Sequence, residues 1–333
     1  MESHKSRTPR TPRTLDELDT QVLHALETDG RAPFSKIAAV LGVSDQTVAR
    51  RYRRLTAEGG LSVVGVRNAE RLGTDFWMLR LRCTPEGAQT IANALARRPD
   101  TSWVALMSGG TEVTCLTRPR NPGDHDDLLL GKLPRTPHIV EIRAFQLLHG
   151  FFGGARGWLS KLAPLNAAQL AALTPRLPAA PGTPARIAPE DEALVAALEA
   201  DGRATYPELQ RATGLSESSV KRRLTALLES RAVFVDIEYT PELLGYRVAA
   251  ALWITAAPAA LHSVGEALAS HDEIAFASAT AGPSNLVATV VARDTAGLYA
   301  YISGRLGRLE GVQHVETAPF LRRIKQLKYR QSR

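Results

Sequence analysis

The sequence predicts an α+β protein built from two tandem copies of one unit, in which a helical module precedes a module of alternating strands and helices. The first observation is an internal repeat: residues 27–32, ETDGRA, return as EADGRA at 199–204, 172 positions later. The correspondence continues to Leu72-Gly73 and Leu244-Gly245, where helical periodicity gives way to strand-like alternation. Because self-similarity at a fixed spacing marks one architecture built twice, each copy is interpreted as half of the fold.

Composition indicates a globular protein with a basic surface. Hydrophobic residues make up 44% of the 333 positions, enough for packed cores in about two to four domains. The net charge of +7 suits a polyanion such as nucleic acid. The two cysteines, Cys83 and Cys115, lie in apolar runs and are expected to be reduced core residues of a cytoplasmic protein. The apolar stretches are too interrupted for a membrane span.

The chain divides at the glycines that end each helical module and at a region rich in Ala, Pro and Gly. Prolines recur at every third position from Pro175 to Pro184, which favours an extended linker, with one short helix capped by Asn166 before it. The basic N-terminal arm has two interpretations, a phosphate contact and a solubilising tail. The predicted segments are a basic arm 1–13, helical domain 14–73, strand–helix domain 74–149, linker 150–186, helical domain 187–245, strand–helix domain 246–325 and basic tail 326–333.

Each helical module is predicted to contain three helices, the last two joined through a glycine. In the first copy, Thr14 and Glu17 form a capping-box pattern that begins helix one, and Gly30 offers a left-handed end. A second helix spans about 33–41, and Ser44 caps a third. The second copy repeats the order with Ser216 as the cap, so both modules are interpreted as helix-turn-helix units. The alternating run 233–239 predicts a strand after the helices, and one interpretation of this strand is a wing.

The third helix of each module carries the candidate DNA contacts. At about 100° per residue, Val48, Tyr52 and Leu55 share one face, and the polar side chains lie opposite. A short helix with such a face fits the major groove, where its first residues read bases and its cations hold phosphates. A merely solvated basic face is the alternative. The predicted contact residues are Ser44, Gln46, Thr47, Arg50, Arg51, Arg53 and Arg54, and in the second copy Ser216, Ser218, Ser219, Lys221, Arg222 and Arg223.

The second module of each copy reads strand, helix, strand, strand, helix, strand, which is the ferredoxin-like βαββαβ order. Helices are expected to cover one face of each sheet, and the other face is left open to pair with a second sheet. The predicted segments are 77–83, 85–98, 102–108, 112–117, 124–133 and 139–148, and in the second copy 248–255, 258–270, 274–280, 285–291, 295–309 and 312–321.

Both copies resemble the Lrp/AsnC (feast/famine) family of transcription regulators. The resemblance implies a helix-turn-helix DNA-binding domain followed by a ligand-sensing domain in each copy. The implied partners are double-stranded DNA, a small effector such as an amino acid, and other copies through the sensing domains. The usual family member has one copy per chain. The matching stretches are Leu18-Asp19, Asp29-Gly30-Arg31, Ile37-Ala38, Leu41-Gly42-Val43-Ser44 and Leu72-Gly73, then Asp201-Gly202-Arg203, Gly214-Leu215-Ser216, Arg222-Arg223 and Leu244-Gly245-Tyr246.

The resemblance also implies an effector site, because the family's sensing domain carries a glycine closely followed by an acidic residue after its second strand. Backbone amides in such a turn can hold a carboxylate. The second copy departs from the pattern, since it has Asn285 in place of the acidic residue, and a plain hairpin turn is the alternative in both copies. The implied residues are Gly109, Gly110, Thr111 and Glu112, and in the second copy Gly282, Ser284 and Asn285.

Two other functions compete with the regulator. Siroheme decarboxylases are similar to this family, but their chemistry calls for polar side chains, and the strands at 103–107 and 274–278 are almost wholly apolar. The leading expectation is therefore a protein that is not an enzyme and has no cofactor. An effector-binding assembly protein without DNA binding is the third interpretation. The cluster Asp124, His125, Asp126 and Asp127 favours a helix start over a metal site, and the histidines show no zinc-ligand spacing with either cysteine.

Overall fold

The computed structural model describes residues 15–58, 60–120, 123–154, 157–178 and 182–328. The predicted arm 1–13 lies outside these residues, as does the tail beyond Lys328. None of the helices in these ranges is long and apolar enough to cross a membrane. The elements of the first copy are α1 (Glu17–Thr28), α2 (Phe34–Leu41), α3 (Asp45–Glu58), β1 (Ser62–Arg67), α4 (Ala69–Leu72), β2 (Trp77–Cys83), α5 (Pro85–Arg97), β3 (Thr101–Met107), β4 (Glu112–Thr117), α6 (Asp124–Asp126) and β5 (Ile139–Phe152).

The remaining elements belong to the connection and to the second copy, and they follow the same order as the first. They are α7 (Leu159–Leu162), α8 (Ala167–Leu173), α9 (Glu192–Ala200), α10 (Tyr206–Thr213), α11 (Glu217–Glu229), β6 (Val233–Glu238), β7 (Val248–Ala256), α12 (Leu261–Ser270), β8 (Ile274–Thr280), β9 (Leu286–Ala292), α13 (Thr295–Ser303) and β10 (Val312–Lys325). The chain thus contains two helix-turn-helix heads, each followed by a strand–helix module.

The start and the end of α1 differ from the sequence prediction. Its N-cap is Asp16, whose side chain accepts from the Asp19 N–H, while the Asp19 carboxylate accepts from the Asp16 N–H. This reciprocal capping box replaces the predicted pair of Thr14, which lies outside the described residues, and Glu17. Gly30 does not turn left-handed. A Cβ there would lie 2.5 Å from Cγ1 of Val235, so the glycine permits close approach to the other copy.

The strand that follows each head does not form a wing with its own head in the described residues. Instead β1 and β6 pair with each other as a two-stranded antiparallel ribbon, from Ser62 opposite Glu238 to Arg67 opposite Val233. The interpretation of 233–239 as a wing was therefore wrong. The backbone of this strand pairs with the equivalent strand of the other copy, where its valines and isoleucine have cross-strand neighbours. The ribbon therefore joins the two heads.

The two strand–helix modules merge into one closed eight-stranded sheet of order β10-β3-β4-β2-β5-β8-β9-β7. Closure depends on β5 and β10, which have 14 residues each. Each pairs with one strand of either copy: β5 with β2 and β8, and β10 with β3 and β7. The faces left open by the helices meet inside this sheet, where Phe145 packs on Trp253 with ring centroids 4.6 Å apart. The modules therefore pair within one chain.

The part of the connection before its proline-rich stretch is more packed than the sequence predicted, while the described residues 174–178 and 182–188 form no helix or strand. Strand β5 continues to Phe152, and α7 and α8 follow it. Leu159, Leu165 and Leu173 are buried in the core of the first head. Asn166 caps α8 through a reciprocal capping box with Gln169, as its sequence position predicted. This part packs because its leucines bury apolar surface.

Candidate nucleic-acid interface

Helices α3 and α11 present a polar face to solvent. Val48 and Leu55 are buried on the opposite side of α3, and Val220, Leu224 and Leu227 are buried on α11. The Ser44 hydroxyl accepts from the Thr47 N–H at 3.2 Å, and the Ser216 hydroxyl from the Ser219 N–H at 3.4 Å, so both predicted caps are confirmed. The exposed predicted residues are Ser44, Gln46, Arg50, Arg53, Ser216, Ser218, Lys221 and Arg222, with Thr47 and Ser219 half-buried beside them.

Three of the predicted arginines are held by carboxylates of the protein. Arg51 binds both Asp16 and Asp19, and Arg54 also binds Asp19, so α3 is fastened to the start of α1. In the second copy Arg223 binds Asp191 at 2.7 Å. The sequence prediction that Arg54 points away from the protein was wrong, because the buried Asp19 carboxylate draws its guanidinium back.

Arg50, Arg53 and Arg222 remain available on the outer face, since none of them forms an ion pair with the residues that the structure describes. Lys221 is also exposed, and it forms an i,i+4 pair with Glu217 at 2.7 Å. Such an exposed pair contributes only about 0.3–0.5 kcal/mol, so a phosphate can compete for the ammonium group. Arg50 and Arg222 thus lie at corresponding positions of the two heads, whereas Arg53 and Lys221 have no cationic counterpart in the other copy.

The heads are fixed to one another by reciprocal arginine contacts. Arg31 donates to the carbonyls of Gly202 at 2.6 Å and Ala204 at 3.0 Å. Arg203 donates to Gly30 at 2.7 Å and Ala32 at 3.0 Å. Burial lowers the pKa of both guanidinium groups from their usual value. The repeated Asp-Gly-Arg sequence therefore sets the relative placement of α3 and α11.

The turns predicted to hold an effector have their side chains engaged within the protein. Glu112 is buried and binds Arg80, with Oε1 2.8 Å from Nη2, and it accepts from the Ser108 hydroxyl at 3.0 Å. Thr111 donates to the Ser108 carbonyl. Gly109 and Gly110 are left-handed, as a tight turn between β3 and β4 requires.

The turn of the second copy has the same self-contained character. Both polar atoms of the Asn285 amide bind the backbone of Ala256 at 2.8 Å. The Ser284 carbonyl accepts from Thr280, and a Cβ at Gly282 would lie 2.9 Å from the Phe145 ring. Both turns therefore fit the hairpin alternative geometrically, and effector binding there stays a prediction.

An ion cluster around the buried Arg80 joins the two copies at the closed sheet. Arg80 of β2 binds Glu112 of β4 and Glu316 of β10, and its guanidinium carbon lies 5.3 Å from the Trp253 ring centroid. Binding to Arg80 holds the pKa of Glu316 below its usual value. Sequence reasoning missed this cluster, although the polar residue between Leu79 and Leu81 marked an inward position.

The remaining candidates carry no site in the described residues. Asp124, His125 and Asp126 form α6, and no group of three metal-ligating side chains occurs in the described ranges. Cys83 and Cys115 are free and buried, and burial raises their pKa values to about 11 and about 12. Thiols with so little thiolate are core residues.

Comparison with known proteins places this geometry in a family. The AsnC-type helix-turn-helix domain matches residues 15–56 and 191–228, and the Lrp/AsnC ligand binding domain matches residues 249–329. The HTH-type transcriptional regulator LrpA of Pyrococcus horikoshii is 28% identical over 136 residues, which cover 40% of this chain and 96% of that protein. The regulator FL11 of the same organism is 28% identical over 124 residues, 36% of this chain and 82% of that protein.

Solved structures of a siroheme decarboxylase are similar over nearly the whole chain. The crystal structure of the siroheme decarboxylase NirDL covers 94% of both chains with a TM-score of 0.62 and 14% identity. That likeness shows a shared fold. Both heads and the second strand–helix module match the same family, and the first module repeats that fold. The chain therefore belongs to the Lrp/AsnC family and carries two of its helix-turn-helix domains in one polypeptide.

Proposed function

We propose that this protein is a sequence-specific, DNA-binding transcription regulator of the Lrp/AsnC type that acts in the cytoplasm. The observation that carries the proposal is the pair of heads, locked by Arg31 and Arg203, with exposed cations on α3 and α11. The regulator names of the relatives support it. Arg50, Arg53 and Arg222 supply charge that no acidic group of the described residues neutralises.

The two helices perform equivalent tasks with different side chains. Gln46 suits a bidentate bond to adenine, and Arg50 or Arg222 suits guanine O6 and N7. The hydroxyls of Ser44, Ser216 and Ser218 fit phosphate oxygens near the helix starts. Arg51, Arg54 and Arg223 bind carboxylates of their own heads. These ion pairs hold α3 and α11 in the position that presents these groups.

The test is DNA binding by fluorescence anisotropy on fragments selected from genomic DNA. Arg50→Ala and Arg222→Ala are each expected to weaken specific binding by about 1–3 kcal/mol, and affinity is expected to fall steeply with salt. Arg135→Ala, an exposed arginine on the first strand–helix module, is the matched control. Specific binding that survives both head variants would contradict the assignment, and the absence of any DNA binding would favour the assembly protein.

An enzyme remains the second candidate because of the whole-chain likeness to NirDL. A related NirDL structure is a co-complex with an iron-uroporphyrin III analogue, so the same compound is the appropriate probe. We expect its absorbance spectrum to stay unchanged on mixing with this protein. A saturable change in that spectrum would reverse the order of the two candidates.

Further self-association and effector binding are also part of the proposal. Leu148 on β5 and Leu321 on β10 are 60% and 62% exposed, which is unusual for leucines on strands of a closed sheet. Self-association over the outer side of either strand would cover its exposed leucine. A solution mass above 36.0 kDa, lowered by Leu321→Lys, is the expected result.

A further inference from the structure

A cavity of about 230 Å³ lies where the paired heads meet the closed sheet. Its walls come from the first head, the ribbon, both strand–helix modules and the connection: Glu27 from α1, Asp236 from the ribbon, Arg118 after β4, Phe276 from β8 and Trp158 from the connection. The two glycine turns before β4 and β9 do not line it. A small molecule bound here would therefore contact α1, the ribbon that joins the heads and both strand–helix modules at once.

Most of the cavity wall is aromatic or aliphatic, as is typical of a small-molecule site. Trp103 stands out among these residues. Its φ of 52° is left-handed, its side chain is 42% exposed, and it lies at a break in the β3 register. Such a conformation costs a bulky residue about 1–3 kcal/mol and is found preferentially at ligand sites. The cavity is thus lined by a tryptophan whose backbone is strained.

One end of the cavity is cationic. Arg118 lies with its guanidinium carbon 4.4 Å from the Phe76 ring centroid, and its buried Nε has no hydrogen-bond partner in the described residues. Lys325 lies beside it and donates to the Arg98 carbonyl. Burial lowers the pKa of Arg118 to about 10 and that of Lys325 to about 8. A nearby anion would stabilise the charged form of both side chains.

A basic cleft adjoins the cavity at this end and shares Arg118 and Lys325 with it. The described lining of this cleft, about 480 Å³, includes eight arginine or lysine residues and three acidic ones. A ligand that entered through the cleft would be drawn in by its negative charge. An apolar chamber that ends in a cationic cleft fits a molecule with an apolar body and one anionic end.

Two carboxyl groups restrict the anion further. Glu27 and Asp236 line the cavity, and burial raises their pKa values to about 8 and about 7. A dianion such as a phosphate would repel them when they are ionised, whereas a single carboxylate can accept a proton that they share. The planar carboxylate also matches the fork of one guanidinium.

We propose that this cavity binds a compact carboxylic acid with an aromatic or branched apolar body, with its carboxylate on Arg118 and its body beside Trp103 and Phe76. The inference rests on the proposed function, because the bound acid would act on DNA binding. The ribbon that joins the heads contributes Val66, Phe234 and Asp236 to the wall. A ligand that presses on the ribbon changes how the two reading helices are held.

The binding test is calorimetry on the full chain with phenylacetate, 4-methylvalerate, L-phenylalanine and the neutral phenylacetamide. We expect the acids to bind at least about tenfold more tightly than phenylacetamide, since the amide lacks the charge. Comparison of phenylacetate with L-phenylalanine shows whether the α-amino group contributes. If none of the acids binds at millimolar concentration, the proposal is overturned.

Three variants locate the binding. Arg118→Gln is expected to weaken phenylacetate binding at least about tenfold, and Arg118→Lys to restore part of it. Ala275→Leu keeps the charge and fills the apolar part, and it should also weaken binding. Arg135→Gln, far from the cavity lining, should bind as wild type. Unchanged binding in both Arg118→Gln and Ala275→Leu would overturn the location.

The regulatory part has its own readout. Saturating phenylacetate is expected to change the affinity for selected DNA about 5- to 150-fold, the usual range of coupling between sites. An acid that binds and leaves DNA affinity unchanged would overturn the regulatory role. If the protein does not bind DNA even without ligand, the proposed function is contradicted instead. Calorimetry would still show whether the acid binds in the cavity.

Discussion

At the scale of single residues, the most informative group is the arginine of the repeated Asp-Gly-Arg sequence. Arg31 and Arg203 each donate two hydrogen bonds to backbone carbonyls of the other head. The preceding glycines are needed for the same contact, because a Cβ at Gly30 or Gly202 would lie 2.5 or 2.9 Å from Val235. The repeat therefore encodes a pairing surface.

Removal of either arginine is expected to loosen the pair. Arg31→Ala or Arg203→Ala should lower the free energy of unfolding by roughly 1.5–3 kcal/mol, since hydrogen bonds from a charged group to buried carbonyls are lost. Urea denaturation followed by circular dichroism measures the change. Arg135→Ala, which is exposed, provides the control. A change no larger than that of the control would remove the arginines from the pairing surface.

The buried carboxyl of Glu27 makes stability depend on pH. Burial and the nearby Asp236 raise its pKa from 4.5 to about 8 in the folded protein. The folded state keeps this proton while the unfolded state releases it, so stability is lost as the pH rises from about 4.5 to about 8. Denaturation midpoints at several pH values should fall across this window in the wild type and fall less in Glu27→Gln. The exposed Glu310→Gln should retain the wild-type slope.

At the scale of elements, local periodicity predicted most helices and strands, and long-range partners decided where the prediction failed. The inward face of α3 was predicted because Val48 and Leu55 repeat at helical spacing. The inward turn of Arg54 was not, since its partner Asp19 lies 35 residues earlier. The strand at 233–238 was predicted from its own residues. Its pairing with β1 of the other copy was not, because the alternation within one strand does not show which strand it pairs with.

The connection packs on the first head at α8 but not at Leu177, in the proline-rich stretch that follows. Leu173 at the end of α8 is fully buried against the first head, while Leu177 is 41% exposed. Leu173→Ala is expected to destabilise the protein by about 2–5 kcal/mol through the cavity it leaves. Leu177→Ala should change stability by less than about 0.5 kcal/mol. Thermal denaturation of both variants tests whether the connection is part of the folded core, and equal midpoints would exclude it.

At the scale of the whole molecule, the two heads form a pair of unlike halves. Gln46 and Arg53 of the first head correspond in the repeat to Ser218 and Thr225 of the second. The sequence predicted both heads and both strand–helix modules, but it left open whether they pair within a chain. That answer required the 14-residue strands β5 and β10, whose second partners lie in the other copy.

Unlike halves should select an operator with two different half-sites, about 34–36 Å apart as in other paired helix-turn-helix proteins. Selection from random DNA is expected to yield an asymmetric motif. Gln46→Ser, which places the residue of the second head in the first, should alter base preference in one half-site. A palindromic motif, or a change in both halves, would contradict separate reading by the two heads.

Because β1 pairs with β6 and the sheet closes within one polypeptide, the pairing of the two copies does not depend on the protein concentration. Subunits made separately must find each other, so their active fraction drops on dilution. Here the covalent tether keeps both partners at a high effective concentration at any dilution. Occupancy of a promoter should then rise in simple proportion to the number of molecules in a cell, even when only a few are present.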